Sequence, residues 1–126
     1  MKHLYMITKT LTKYPNIAKA VMIEFSGEIN KLLDENLNKK LDAISKSEGL
    51  NEQEAEFMKL VFKIEQSTLN RKRLAKLLEA ELVNYLKNEW TIQCNTELKA
   101  NRQLYYMSNV GLYIEYLESG DIDVFE

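Results

Sequence analysis

Few residues of this sequence are of the kinds that perform covalent or metal-assisted chemistry, and their spacing narrows the field further. His3 is the only histidine and Cys94 the only cysteine. A nucleophilic serine or cysteine needs a base within reach, and His3 sits in a terminal segment of the kind that commonly frays. The counts exclude two-histidine zinc sites, multi-cysteine clusters and an intramolecular disulfide. Cys94 lies just before a candidate helix cap at Thr96, where a thiol's pKa is lowered, but its neighbours Trp90 and Ile92 mark it as a small core residue. Glutamates one helical turn apart, Glu24 with Glu28 and Glu52 with Glu56, could ligate a metal inside a bundle. Such sites also draw on Glu-x-x-His pairs, and the sequence has none. The four glycines, Gly27, Gly49, Gly111 and Gly120, are isolated, whereas phosphate-cradling loops need them clustered ahead of a helix. No catalytic residue, cofactor or metal is expected, and the chain reads as a non-enzyme.

Two clusters point to binding instead. Asn70, Arg71, Lys72, Arg73 and Lys76 open a helix just after Ser67-Thr68. Recognition helices present basic and amide side chains from their first turns to DNA bases. A basic first turn also opposes the helix dipole, which sets the cluster apart from ordinary surface charge. A helix-turn-helix laid over residues 51–74 fits poorly. The first helix is too long, the connection from Glu65 to Thr68 lacks glycine, and acids dominate its outer face. The second cluster is aromatic: of seven tyrosines, four are Tyr105, Tyr106, Tyr113 and Tyr116. On one helix they fall on two faces, and both cannot coincide with a core face already claimed by Leu104, Met107, Ile114 and Leu117. At least one pair is expected at the boundary or surface, where tyrosine is enriched in interface hot spots. Protein binding by this segment and the acidic tail is the leading expectation. Nucleic-acid contact through residues 70–76 is the alternative.

The elements that must position these residues follow from periodicity. Leu4, Ile7, Leu11 and Tyr14 form a helical stripe, diluted by Thr8, Thr10 and Thr12, and Pro15 disfavours helix at Tyr14. Asn16 is then a cap for a helix starting at Ile17. From there to about Ser47, apolar residues step by threes and fours for eight turns: Ile17, Val21, Phe25, Ile29, Leu32 or Leu33, Leu37, Leu41 and Ile44. This reads as one long helix, with Gly27 as a site for a bend and Glu35–Lys39 as a surface pair. Asn51 with Glu54 forms a capping box ahead of Phe57, Met58, Val61 and Phe62. Ser67 or Thr68 caps the next helix, which buries Leu74, Leu77, Leu78, Leu82, Tyr85, Leu86 and Trp90. A last helix starts near Asn95 or Thr96 and ends at Gly120. The rival for the tail is a β-hairpin, Leu112–Leu117 and Ile122–Phe125 around a turn at residues 118–121.

Composition agrees with a single all-α domain spanning residues 1–126, a four- to five-helix antiparallel bundle. Glycine (4) and proline (1) are too scarce for the frequent turns of an all-β chain. The eight-turn stripe exceeds what a shorter neighbour can cover, so a second copy could cover the rest as a homodimer. The net charge of −2 suits neither a basic nor a strongly acidic partner. It is unevenly spread, however. Residues 1–20 carry Lys2, Lys9, Lys13 and Lys19 without an acid, and residues 111–126 carry Glu115, Glu118, Asp121, Asp123 and Glu126 without a base. No run approaches the roughly 18 apolar residues of a membrane span, and the start lacks a secretory leader's cleavage site. A cytoplasmic location is expected.

Overall fold

The computed structural model describes residues 2–90 and 109–120, with side chains for 3–85 and 109–120. Seven helices lie within them: α1 (Lys2–Thr12), α2 (Pro15–Glu24), α3 (Ser26–Ile29), α4 (Glu35–Ser47), α5 (Glu52–Glu65), α6 (Thr68–Trp90) and α7 (Asn109–Ser119). No strand occurs among the described residues. Leu112 to Leu117, the first arm of the expected hairpin, is helical throughout. Its inward residues Val110, Tyr113, Ile114 and Leu117 follow a three-to-four spacing that a two-residue strand repeat would split between faces. The second arm lies outside the described residues, as do Cys94 and the expected helix start at Asn95 or Thr96.

The long second helix does not exist as one element. Its stripe is divided at Phe25, whose φ/ψ of −109°/29° leaves the helical region, and again between Ile29 and Glu35. Gly27 is not the cause, because it lies within α3 and not at either break. The second break is set by Asp34, whose side chain accepts from the amides of Asn36 and Leu37 and starts α4 afresh. Because the stripe changes direction, Leu32 is 98% exposed and only Leu41 among the apolar residues of α4 is fully buried. The eight-turn surface that called for a second copy is therefore not presented. At the first turn of α2, Pro15 occupies N1 and Asn16 lies inside the helix, so Asn16 does not cap it. Proline is preorganised for that position and its missing N–H is one the helix would leave unpaired anyway.

Other boundaries follow the sequence closely. At α5 the box is reciprocal: Glu54 N donates to Asn51 Oδ1 at 2.8 Å, and Asn51 N donates to Glu54 Oε1 at 3.1 Å. That backbone hydrogen bond, with Lys9 3.2 Å away, holds the Glu54 carboxyl below its ordinary value against the opposing effect of burial. Helix α4 ends on Gly49 at φ +68°, with Leu50 N donating to Ser45 O, the arrangement that a left-handed residue permits. Gly120, at φ +73°, ends α7 in the same conformation. Ser67 caps α6 through Asn70 N.

The core gathers one stripe from each long element. Leu4, Ile7 and Leu11 of α1 meet Met58, Val61 and Ile64 of α5, Leu74, Leu78 and Leu82 of α6, and Ile114 and Leu117 of α7. Helix α1 is central to the packing, touching α2, α5 and α7, while α6 packs along α7. Helices α2 and α5 both lie against α1 but barely touch one another. That separation leaves a trough between them.

Candidate functional site

The described residues with the greatest chemical capacity converge on Glu65, the last residue of α5. Four residues after Val61 and seven after Met58, it falls on the apolar stripe of its helix and is 8% exposed. Its Oε1 lies 2.7 Å from Nε2 of His3 and accepts from the Tyr116 hydroxyl at 3.2 Å. Its Oε2 accepts from the Tyr113 hydroxyl. The rings close around the carboxylate: His3 lies 5.1 Å from Tyr116 between centroids, and Tyr116 stacks on Tyr113 at 5.8 Å. Arg71 donates to the Glu65 backbone oxygen at 2.7 Å, which caps the negative end of α5 with a cation. Burial, then the adjacent Glu65 carboxylate, hold the Tyr113 hydroxyl well above its ordinary pKa.

His3 is thus not frayed but locked, 6% exposed, between α5 and α7. The sequence carried a signal for this: His3 precedes Ile7 by four and shares the face of Leu4, Ile7 and Leu11. Tyr113 is fully buried and Tyr116 half-buried, so Tyr113 offers no surface to a partner. Tyr105 and Tyr106 lie outside the described residues. Tyr113 and Tyr116, three residues apart, both turn to Glu65, a buried carboxylate from another helix that spacing along one helix cannot reveal.

The basic cluster is largely spent on the fold. Arg73 pairs with Glu24 at 2.8 Å and lies 4.9 Å above the Phe25 ring. Asn70, 8% exposed, donates to Glu28 and accepts from Arg73, both at 3.3 Å. This network ties the start of α6 to the α2–α3 corner. Lys72 and Lys76 remain exposed, with no hydrogen bond or ion pair among the described residues. The same contacts occupy the first glutamate pair, since Glu24 serves Arg73 while Glu28 serves Lys31 and Asn70. The hydrogen bond from Lys31 lowers the Glu28 pKa despite its partial burial. Among the described residues, no three of His, Cys, Asp and Glu are grouped to hold a metal ion. No described helix is long and apolar enough to cross a membrane.

The trough between α2 and α5 has a volume of about 890 Å³. Its apolar lining comes from Ala18 and Met22 of α2, Ile29 of α3, and Phe57 and Leu60 of α5. Met22 is 47% and Ile29 40% exposed. Glu52, Glu54 and Glu56 rim the α5 side, and Lys63 closes one end by donating to Ile29 O at 2.8 Å. Ile23 and Leu32 are exposed apolar residues outside the trough's lining. Sequence reasoning missed this site because it placed Ile29 on one continuous core-facing stripe and Met22 beside that stripe. The break at Phe25 takes Ile29 off the stripe, next to the exposed Met22 of α2.

No protein-family model matches the sequence, and no curated protein or solved structure matches it.

Proposed function

We propose that this chain is a non-enzymatic regulatory or adaptor module that acts by binding another protein, and that the α2–α5 trough is its contact surface. The observation that carries this reading is the trough itself, where the exposed Met22 and Ile29 stand with Ala18 over Phe57 and Leu60. Contiguous apolar surface rimmed by polar groups is what interaction sites present, whereas single exposed apolar residues need no explanation. A second support is where the reactive groups lie. His3, Glu65 and Tyr113 are spent on one another inside the core, so the accessible surface has apolar shape and charge to offer a partner.

A photo-crosslinking residue placed at Met22 tests the reading in cells, with the same residue at Lys40, on the exposed side of α4, as control. Protein adducts at Met22 in clear excess over Lys40 are expected. Equal yields at both sites would overturn the assignment.

A second reading, nucleic-acid binding, keeps one supporting observation: Lys72 and Lys76 are exposed one turn apart on α6. It would rest on phosphate contact, because Asn70 and Arg73, the side chains suited to base edges, are held by α2 and α3.

A further inference from the structure

Resting on the protein-binding reading, we propose that the α2–α5 trough receives an amphipathic helix whose polar flank is rich in lysine or arginine. Its shape is that of a missing helix. Helices α2 and α5 both pack on α1 and leave a gap between them. The 890 Å³ of the gap accommodates roughly two turns of a helix about 10 Å across. Ala18 and Met22 stand four apart on the α2 side, and Phe57 and Leu60 three apart on the α5 side. Met22 stands out as a ridge while the buried Phe57 and Leu60 form the floor, on which a docked helix sets its own side chains at i, i+3 or i+4, and i+7. The thioether of Met22 is unbranched and adapts to the shape placed against it.

Charge selects the class of helix. The lining carries Glu52, Glu54 and Glu56 against Lys63 alone. Lys63 is engaged by the Ile29 carbonyl, and Glu54 by Asn51 and Lys9. Glu52 and Glu56 are exposed, one turn apart, with no hydrogen bond or ion pair among the described residues. An incoming helix with cations one turn apart along its flank meets both, while an acidic helix meets repulsion. Complementary charge at such a rim governs partner choice and encounter rate more than it governs tightness.

The test uses two synthetic helical peptides of about 15 residues. Both carry the same leucine stripe, one flanked by lysine and arginine and the other by glutamate, and each is titrated into the full chain by fluorescence anisotropy. The basic peptide is expected to bind about tenfold more tightly than the acidic one, with the difference shrinking as salt is raised. Met22→Glu, at an exposed position, should abolish binding with unchanged circular dichroism. Glu56→Lys, which leaves the Asn51–Glu54 cap intact, should reverse the preference. Equal binding of both peptides, lost in Met22→Glu, would overturn the charge class while leaving the trough as a protein-binding surface. Failure of both peptides, with cross-linking at Met22 still positive, would overturn the helical occupant alone. Failure of both together with the cross-linking would overturn the protein-binding reading as well. Self-association abolished by Met22→Glu would overturn the proposal in favour of a second copy of the chain.

Discussion

Glu65 accepts hydrogen bonds from Tyr113 and Tyr116 and closes on His3, partners that stand 48, 51 and 62 residues away. A buried carboxylate is tolerable only while such partners surround it. Removing it takes away the carboxylate on which the buried Tyr113 and His3 close. Glu65→Ala is therefore expected to cost about 3 kcal/mol in urea unfolding, and Tyr113→Phe about 1–2 kcal/mol. The double variant should cost clearly less than their sum, since the two share one interaction. A pH series adds a second readout. Because the fold holds the Tyr113 hydroxyl above its ordinary value of 10.0, its contribution is complete below pH 10 and is lost as pH rises through the raised value. Tyr113→Phe should remove that part of the alkaline destabilisation. At this scale the sequence was half legible. The apolar face of α1 included His3 by its spacing from Ile7, and that of α5 included Glu65 by its spacing from Val61. That the two faces meet at those residues is tertiary information.

Among the elements, a start marked by a reciprocal pair of caps was readable, and one set by a single capping carboxylate inside a continuous stripe was not. Asn51 with Glu54 identifies the start of α5, because both hydrogen bonds of the cap lie within four residues. The division of the expected spine was missed because periodicity ran through it and Asp34 sits among other polar residues. Substitutions separate cause from coincidence there. Asp34→Ala removes the acceptor for the Asn36 and Leu37 amides and should destabilise the fold by about 1 kcal/mol. Gly27→Ala should instead stabilise it by up to about 1 kcal/mol, since α3 is helical there and the new methyl meets nothing within 4 Å. Thermal unfolding of the two variants checks both signs. A destabilised Gly27→Ala would show that the glycine shapes the α2–α3 corner after all.

For the whole molecule, charge distribution supplies a test that separates the two proposed functions. The chain carries a net charge of −2, and its most basic stretch spends Arg71 and Arg73 on internal partners. Duplex DNA or single-stranded RNA is accordingly expected to leave the anisotropy of the labelled chain unchanged at physiological salt. Binding that weakens with salt and disappears in Lys72→Glu/Lys76→Glu would restore nucleic acid as the partner. These two lysines, and not the arginines, are the right positions to change. Arg71→Glu would strip the cap from α5 and Arg73→Glu would oppose Glu24, so loss of binding in either would report misfolding. The helical class was legible from composition and periodicity. The trough was not, because it arises from where two non-consecutive helices flank a third.

The contact between α1 and α7 also sets an order of events during synthesis. Helix α1 leaves the ribosome before α5, and Glu65, the acceptor for His3, follows 62 residues later. At about 5–20 residues per second, that interval is roughly 3–12 s. Throughout it Leu4, Ile7 and Leu11 have no α5 to cover them, and the tyrosines of α7 arrive later still. Helix α1 is thus made before the helices that enclose it, and until α5 and α7 are present its apolar stripe is open to chaperones and to aggregation.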